Sequence, residues 1–192
     1  MDIIRRIIGK VGNPILWVKN KLLAAISKKA TFTFEKLPMS LEEMKSLPEI
    51  AMDDAFKTAA LSLLALCAYS VDREAGREML DFLRDPRPMS PAELQFLNDR
   101  LMDGKDYVAR SYFEGATPEN EYTPTTPYTV KVISNQYSKL EGGKYMQLWI
   151  HSGGADSPRS ITMRKTGGGT WYLWEQNLLS DIRIPKSQDG WA

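Results

Sequence analysis

The sequence predicts an α+β fold in which N-terminal helices pack on a C-terminal four-stranded antiparallel meander. Apolar residues recur three or four apart between about residues 40 and 102, which is typical of buried helix faces. Between residues 128 and 176 they recur with a period of two, as in strands. Helices followed by strands are typical of the α+β class. We expect residues 30–192 to form one domain, with an ordered connector at 103–127 and a C-terminal tail at 177–192.

Residues 1–29 are predicted to form a basic amphipathic helical segment, kinked or divided at Pro14. Seven basic residues stand there against one acidic residue, a net charge of +6, so the rest of this +1 chain carries −5. The apolar face either docks on the body or a partner, which we favour, or lies on an anionic membrane surface. Charges interrupt every apolar run, so we expect neither a secretory signal nor a membrane span, and a cytoplasmic protein.

Four helices are predicted between residue 40 and about residue 102. Two start at capping boxes, Ser40 with Glu43 and Ser90 with Glu93. The stretch AFKTAALSLLALCAY lies between them and is apolar on most sides, which predicts a central buried helix. DREAGREMLDFLRD follows it and ends at PRP. Ahead of all four, TFTFEKLP alternates as a short strand or an extended connector.

Four alternating segments predict the meander: YTVKVISN, KYMQLWIHS, RSITMRK and TWYLWEQ. One face of these strands is apolar and is assigned to the core: Val130, Val132, Met146, Leu148, Ile150, Ile161 and Met163. The opposite face carries Tyr145, Gln147, Trp149, His151, Thr162 and Arg164. Trp149, Trp171, Tyr172 and Trp174 are concentrated on the sheet, so one set is core and the other is a recognition surface or is covered by another segment.

The composition limits which kinds of site this chain can form. Cys67 and His151 are the only residues of their types, so no disulfide forms within the chain and we expect no metal site and no cofactor. The acidic body gives no indication of nucleic-acid binding.

The stretch HSGGADSPRS, residues 151–160, collects polar residues between two predicted strands. A hairpin turn is the favoured interpretation, because a phosphate loop leads into a helix and a hydrolase needs a nucleophile elbow. His151 and Ser152 are also neighbours, so on a strand they face opposite ways. KTGGGT at 165–170 is likewise predicted to be a hairpin tip. We expect Asp156 and Arg159 to hold the connector.

No catalytic residue is predicted. The residues predicted to contact a ligand or partner are polar or aromatic and lie in the connector and in this loop: Asp106, Arg110, Tyr112, His151, Asp156 and Arg159. For the charged stretch around Asp106 and Arg110, a structural role is favoured over ligand binding.

The strings DGKDYVARSYFEGATPEN and SGGADSPR resemble a family of small bacterial proteins without assigned function, found chiefly in Clostridia and related Firmicutes. The resemblance runs from about residue 35 to the C-terminus. It implies an intracellular bacterial protein and a meeting of these two segments in space. It implies no activity.

Three functions remain open. We favour a non-enzymatic binding or interaction module, whose partner is another protein or a second copy of the chain. The alternative is a small-molecule binder or enzyme with a polar site between the 103–120 connector and the 151–159 loop. The third is peripheral membrane association through residues 1–29.

Overall fold

The computed structural model describes residues 27–191, and it shows the α+β class that the sequence predicts. Helices α1 to α5 and strands β1 to β6 run along this part of the chain as follows: β1 Lys29–Phe34, α1 Leu41–Lys45, α2 Ala55–Val71, α3 Arg73–Leu83, α4 Pro91–Leu101, α5 Tyr107–Arg110, β2 Tyr128–Ile133, β3 Lys139–Leu140, β4 Tyr145–Ile150, β5 Arg159–Lys165 and β6 Trp171–Gln176. Short 3-10 turns lie at Pro48–Ala51, Pro118–Asn120, Glu141–Gly143 and Lys186–Gln188.

The sheet is larger than the predicted four-stranded meander. Its strands are antiparallel in the order β1-β2-β4-β5-β6, and β3 pairs with one end of β4. The alternating TFTF segment forms β1, which pairs with β2 from Lys29 opposite Ile133 to Phe34 opposite Tyr128. The two residues of β3 are too few to give the sequence a period, which is why the pattern did not predict this strand.

The predicted basic segment lies outside the described residues except at its end. Lys28 pairs with Ser134 through backbone and side-chain hydrogen bonds of 2.8 and 3.0 Å, and Lys29 is the first residue of β1. Lys29 therefore belongs to the sheet, and Lys28 is hydrogen-bonded directly beside it. None of the helices in residues 27–191 combines the length and the apolar character that crossing a bilayer requires.

Helix α2 forms the centre of the core. It begins at Asp54, whose side chain accepts a hydrogen bond from the Phe56 N–H, and nearly every residue from Ala55 to Tyr69 is buried. The sheet residues assigned to the core lie on the face that meets α2, and all are buried except Met146, which is partly covered. The prediction of a central buried helix is confirmed.

Helix α3 packs against α2 at very close range. Asp72 ends α2 and caps α3, accepting hydrogen bonds from the N–H groups of Glu74 and Ala75. A Cβ atom at Gly76 would lie 2.2 Å from the Tyr69 Cα, so only glycine permits this contact. The two helices therefore form a tight antiparallel hairpin whose far end, at Arg84, reaches the edge of the sheet.

Both predicted capping residues act as helix N-caps. Ser90 and Glu93 form a complete capping box at α4, with the Ser90 N–H donating to Glu93 over 2.9 Å. At α1 the Ser40 side chain caps the Glu43 N–H, but the Glu43 carboxylate accepts from Met39 instead of Ser40.

Candidate functional site

The connector and the 151–159 loop meet directly, as their pairing in the family resemblance implied. The Ser152 hydroxyl donates to the Ser111 Oγ over 2.7 Å, and Ser111 donates onward to the Val108 carbonyl. The Gly153 N–H donates to the Ser111 carbonyl over 2.8 Å. A Cβ atom at Gly153 would lie only 1.9 Å from the Ala116 carbonyl oxygen, so the two backbones are in contact. Glycine is needed here for space.

Asp156 and Arg159 hold the C-terminal tail, and our prediction that they hold the connector was wrong. Arg159 donates to the carbonyls of Ser180 and Asp181 over 2.9 and 3.0 Å, and Asp156 accepts from Arg183 over 2.7 Å. Asp156 and Arg159 do not reach the connector because the other half of the loop, Ser152–Gly154, already packs on it. Its second half turns toward residues 180–183 instead.

The other candidate residues are divided between internal contacts and solvent. Arg110 pairs with Asp106 one helical turn earlier, and its Nε donates to the Tyr122 carbonyl over 3.4 Å. The buried Tyr112 hydroxyl donates to the Leu178 carbonyl, and burial raises the pKa of this phenol. His151 is exposed, while its neighbour Ser152 is buried. The contact of these residues with an outside ligand stays a prediction.

A second place in the fold has the features of a recognition site. A groove of about 1010 Å³ opens at one end of the sheet, between the segment after α3, the turn before β4 and the β5–β6 hairpin tip. Its charged lining residues are five cations and one carboxylate: Arg84, Arg87, Lys144, Arg164, Lys165 and Asp85. We call this feature the basic groove.

Trp174 is the central aromatic residue of the basic groove. Met163 pairs with Leu173 and Thr162 with Glu175, so Trp174 is the extra residue of a β-bulge in β6. Bulges redirect side chains and are common beside functional sites. Two guanidinium groups pack on the Trp174 ring. That of Arg87 lies 4.4 Å from the ring centroid, and that of Arg164 lies 4.8 Å from it. Tyr145 packs edge-on against the same ring at 5.5 Å.

Arg84 anchors the basic groove from inside. Its side chain is only 5% exposed, and its Nη2 donates to Glu93 over 2.5 Å while its Nε donates to the Arg87 carbonyl. Burial opposes the charge of Glu93, but hydrogen bonds from Ser90 and the Arg84 charge outweigh burial and lower the Glu93 pKa.

The sequence prediction missed this groove. Tyr172, Trp174 and Arg164 were noted as sheet residues, but no pattern linked them to Arg84 or Lys144. A usable signal existed in the cations beside three short proline- or glycine-containing stretches, PRP, EGGK and KTGGGT, which form turns at the groove. Its use depended on knowing that the three turns lie together.

Comparison with known proteins gives one family. No curated protein matches the chain, and no solved structure matches it. Residues 36–186 match the family described as a domain of unknown function, DUF6935, close to the range over which the resemblance was expected. The chain belongs to this DUF6935 family.

Proposed function

We propose that this chain is a non-enzymatic binding module whose basic groove holds the oxyanions of a ligand or of a partner protein. The observation that carries the proposal is the position of Arg87 and Arg164, both packed on the Trp174 ring at the groove. A guanidinium packed on an aromatic ring can still use its N–H edge to bind carboxylate or phosphate. Arg87 already donates from Nη2 to the Trp174 carbonyl, so Arg164 is the main donor in this proposal.

The cations of the groove are only partly neutralised by the chain itself. Arg164 and Lys165 have no ion-pair partner among residues 27–191, and both are exposed. Lys144 and Arg87 have longer contacts to carboxylates, 3.5 and 3.6 Å. An incoming oxyanion therefore meets donors that need not first break a short internal ion pair.

The charge of the groove contrasts with that of the rest of the protein. Residues 1–26 carry five basic residues and one acidic residue, so residues 27–191 have a net charge of −3 in this +1 chain. Within that acidic body, five cations and one carboxylate line the groove. Such separation guides an anion to one site and makes association sensitive to salt.

The test is calorimetric titration of the full chain with inorganic tripolyphosphate at several NaCl concentrations. We expect binding that weakens with salt and an Arg164→Ala variant that binds about tenfold more weakly, because a charge-assisted bond is lost. The matched control is Arg73→Ala. Arg73 is exposed at the opposite end of α3, about 16 Å from Arg84 along the helix. Absence of binding, or equal weakening in both variants, overturns the proposal.

We also propose that the chain acts inside a bacterial cell. The lone Cys67, which has no disulfide partner in the chain, and the resemblance to clostridial proteins support this place. Fractionation of the native organism, with immunodetection of the chain, tests it, and recovery in the culture medium would contradict it.

A further inference from the structure

The aromatic rings at the basic groove differ in whether a cation covers them. Trp174 is packed by two guanidinium groups, and Lys144 lies 5.2 Å from the ring of Tyr145, which packs on Trp174. Tyr172 is different. It lines the groove and is half-buried, with part of its side chain packed against the core, and no other aromatic ring or cation in residues 27–191 packs on it.

Tyr172 lies next to Arg164, one of the two groove cations without an ion-pair partner in residues 27–191. In the β5–β6 ladder it pairs with Arg164, which in turn pairs with Tyr145 on β4, so the three residues form one row across the sheet. Directly paired residues in antiparallel strands have Cβ atoms about 5 Å apart. One ligand can therefore place a planar ring on Tyr172 while an oxyanion attached to it reaches Arg164.

The groove has space for such a ligand. Its volume, about 1010 Å³, is that of a site for a small organic molecule and far exceeds the size of a single phosphate. Glycines form the tips of both hairpins that border it, and a Cβ atom at Gly142, Gly143 or Gly167 would meet no other atom within 4 Å. The backbone at these tips is therefore open to the ligand.

From this arrangement we infer that the ligand is a nucleotide, a planar base carrying phosphates, with the base on Tyr172 and the phosphates among Arg164, Arg87 and Lys144. The inference rests on the proposed function and specifies its ligand. Base stacking on a tyrosine ring tolerates different bases, and arginine edges bind phosphate oxygens in pairs. A long nucleic acid would extend from the groove over a body of net charge −3, which favours a short phosphorylated ligand.

The experiment compares adenosine triphosphate with inorganic tripolyphosphate, which has similar charge and no base, on the full chain without divalent cations. We expect the nucleotide to bind at least about fivefold more tightly, because stacking adds to the phosphate contacts. Tyr172→Leu abolishes this preference, so that this variant binds the nucleotide no more tightly than it binds tripolyphosphate. Tyr172→Phe keeps the ring and the preference. Thermal unfolding of each variant confirms that it is folded.

The outcomes separate the two proposals. Groove-dependent tripolyphosphate binding without a nucleotide preference, or a preference that survives Tyr172→Leu, overturns the nucleotide and leaves the binding module. Tighter binding of a hexaglutamate peptide than of the nucleotide also overturns the nucleotide, and indicates a carboxylate-bearing partner. Binding of neither phosphate probe overturns both.

Discussion

Replacing Gly153 by alanine tests the contact between the loop and the connector with the smallest change available. The new Cβ would lie 1.9 Å from the Ala116 carbonyl oxygen, whereas ordinary contacts begin near 3.4 Å, so the backbones must separate by about 1.5 Å. The atom in the way belongs to the main chain and cannot rotate aside. The φ of Gly153 is one that any residue adopts, so the cost is steric.

The magnitude follows from the bonds that this separation breaks. Overpacking costs about 1–3 kcal/mol, and losing the bonds from Gly153 and Ser152 to Ser111 adds about 1 kcal/mol. We expect a loss of about 3 kcal/mol, which in a protein of this size lowers the Tm by about 6–12 °C.

Differential scanning calorimetry measures this change, and Gly167→Ala is the matched control. A Cβ atom at Gly167 meets nothing within 4 Å, so its Tm should stay within about 2 °C of the parent chain. If Gly153→Ala also stays within that range, the direct backbone contact described here is wrong.

Three further predictions concern other parts of the chain. Ser152→Ala removes the acceptor of the Gly154 N–H and should lower the free energy of unfolding in urea by about 1–2 kcal/mol, whereas Ser187→Ala, on the exposed tail, should cost less than about 0.5 kcal/mol. Burial raises the pKa of the Cys67 thiol from 9.0 to about 12. Between pH 9 and 12 the thiol therefore keeps its proton in the folded protein and loses it in the unfolded chain. Stability should therefore fall as pH rises from 9 to 12, and Cys67 should resist iodoacetamide at pH 8 until urea unfolds the chain; fast labelling of folded protein would contradict this. The basic segment predicts salt-sensitive binding to anionic vesicles, and Arg5→Glu with Arg6→Glu should weaken it; binding unchanged by both substitutions would refute the membrane interpretation.

Local rules predicted most of the fold because they act within a few residues. Ser90 and Glu93 close a capping box that the sequence specifies completely, and the apolar run of α2 requires a site surrounded by protein. Alternation likewise assigned the inner face of β4 and β5. Each of these signals involves residues at most a few positions apart.

The features that the sequence did not predict depend on contacts between residues far apart in the chain. Nothing near Arg159 in sequence indicates that it binds the carbonyl of Ser180 instead of the connector. The basic groove brings Arg87 onto Trp174, residues separated by almost half the chain, and a bulge turns that ring. A one-residue bulge leaves no periodic signal, so the site follows from tertiary structure alone.

Arg87 also covers part of the open edge of the sheet at β6. β6 is an outer strand of the sheet, and strands in that position attract other chains through their unpaired carbonyls. The Arg87 side chain donates to the Trp174 carbonyl over 2.8 Å, and the bulge interrupts the ladder at the same residue. If the groove binds oxyanions as proposed, loss of Arg87 would therefore change both binding and the tendency to aggregate. A substitution of Arg164 leaves this edge contact in place and tests binding alone.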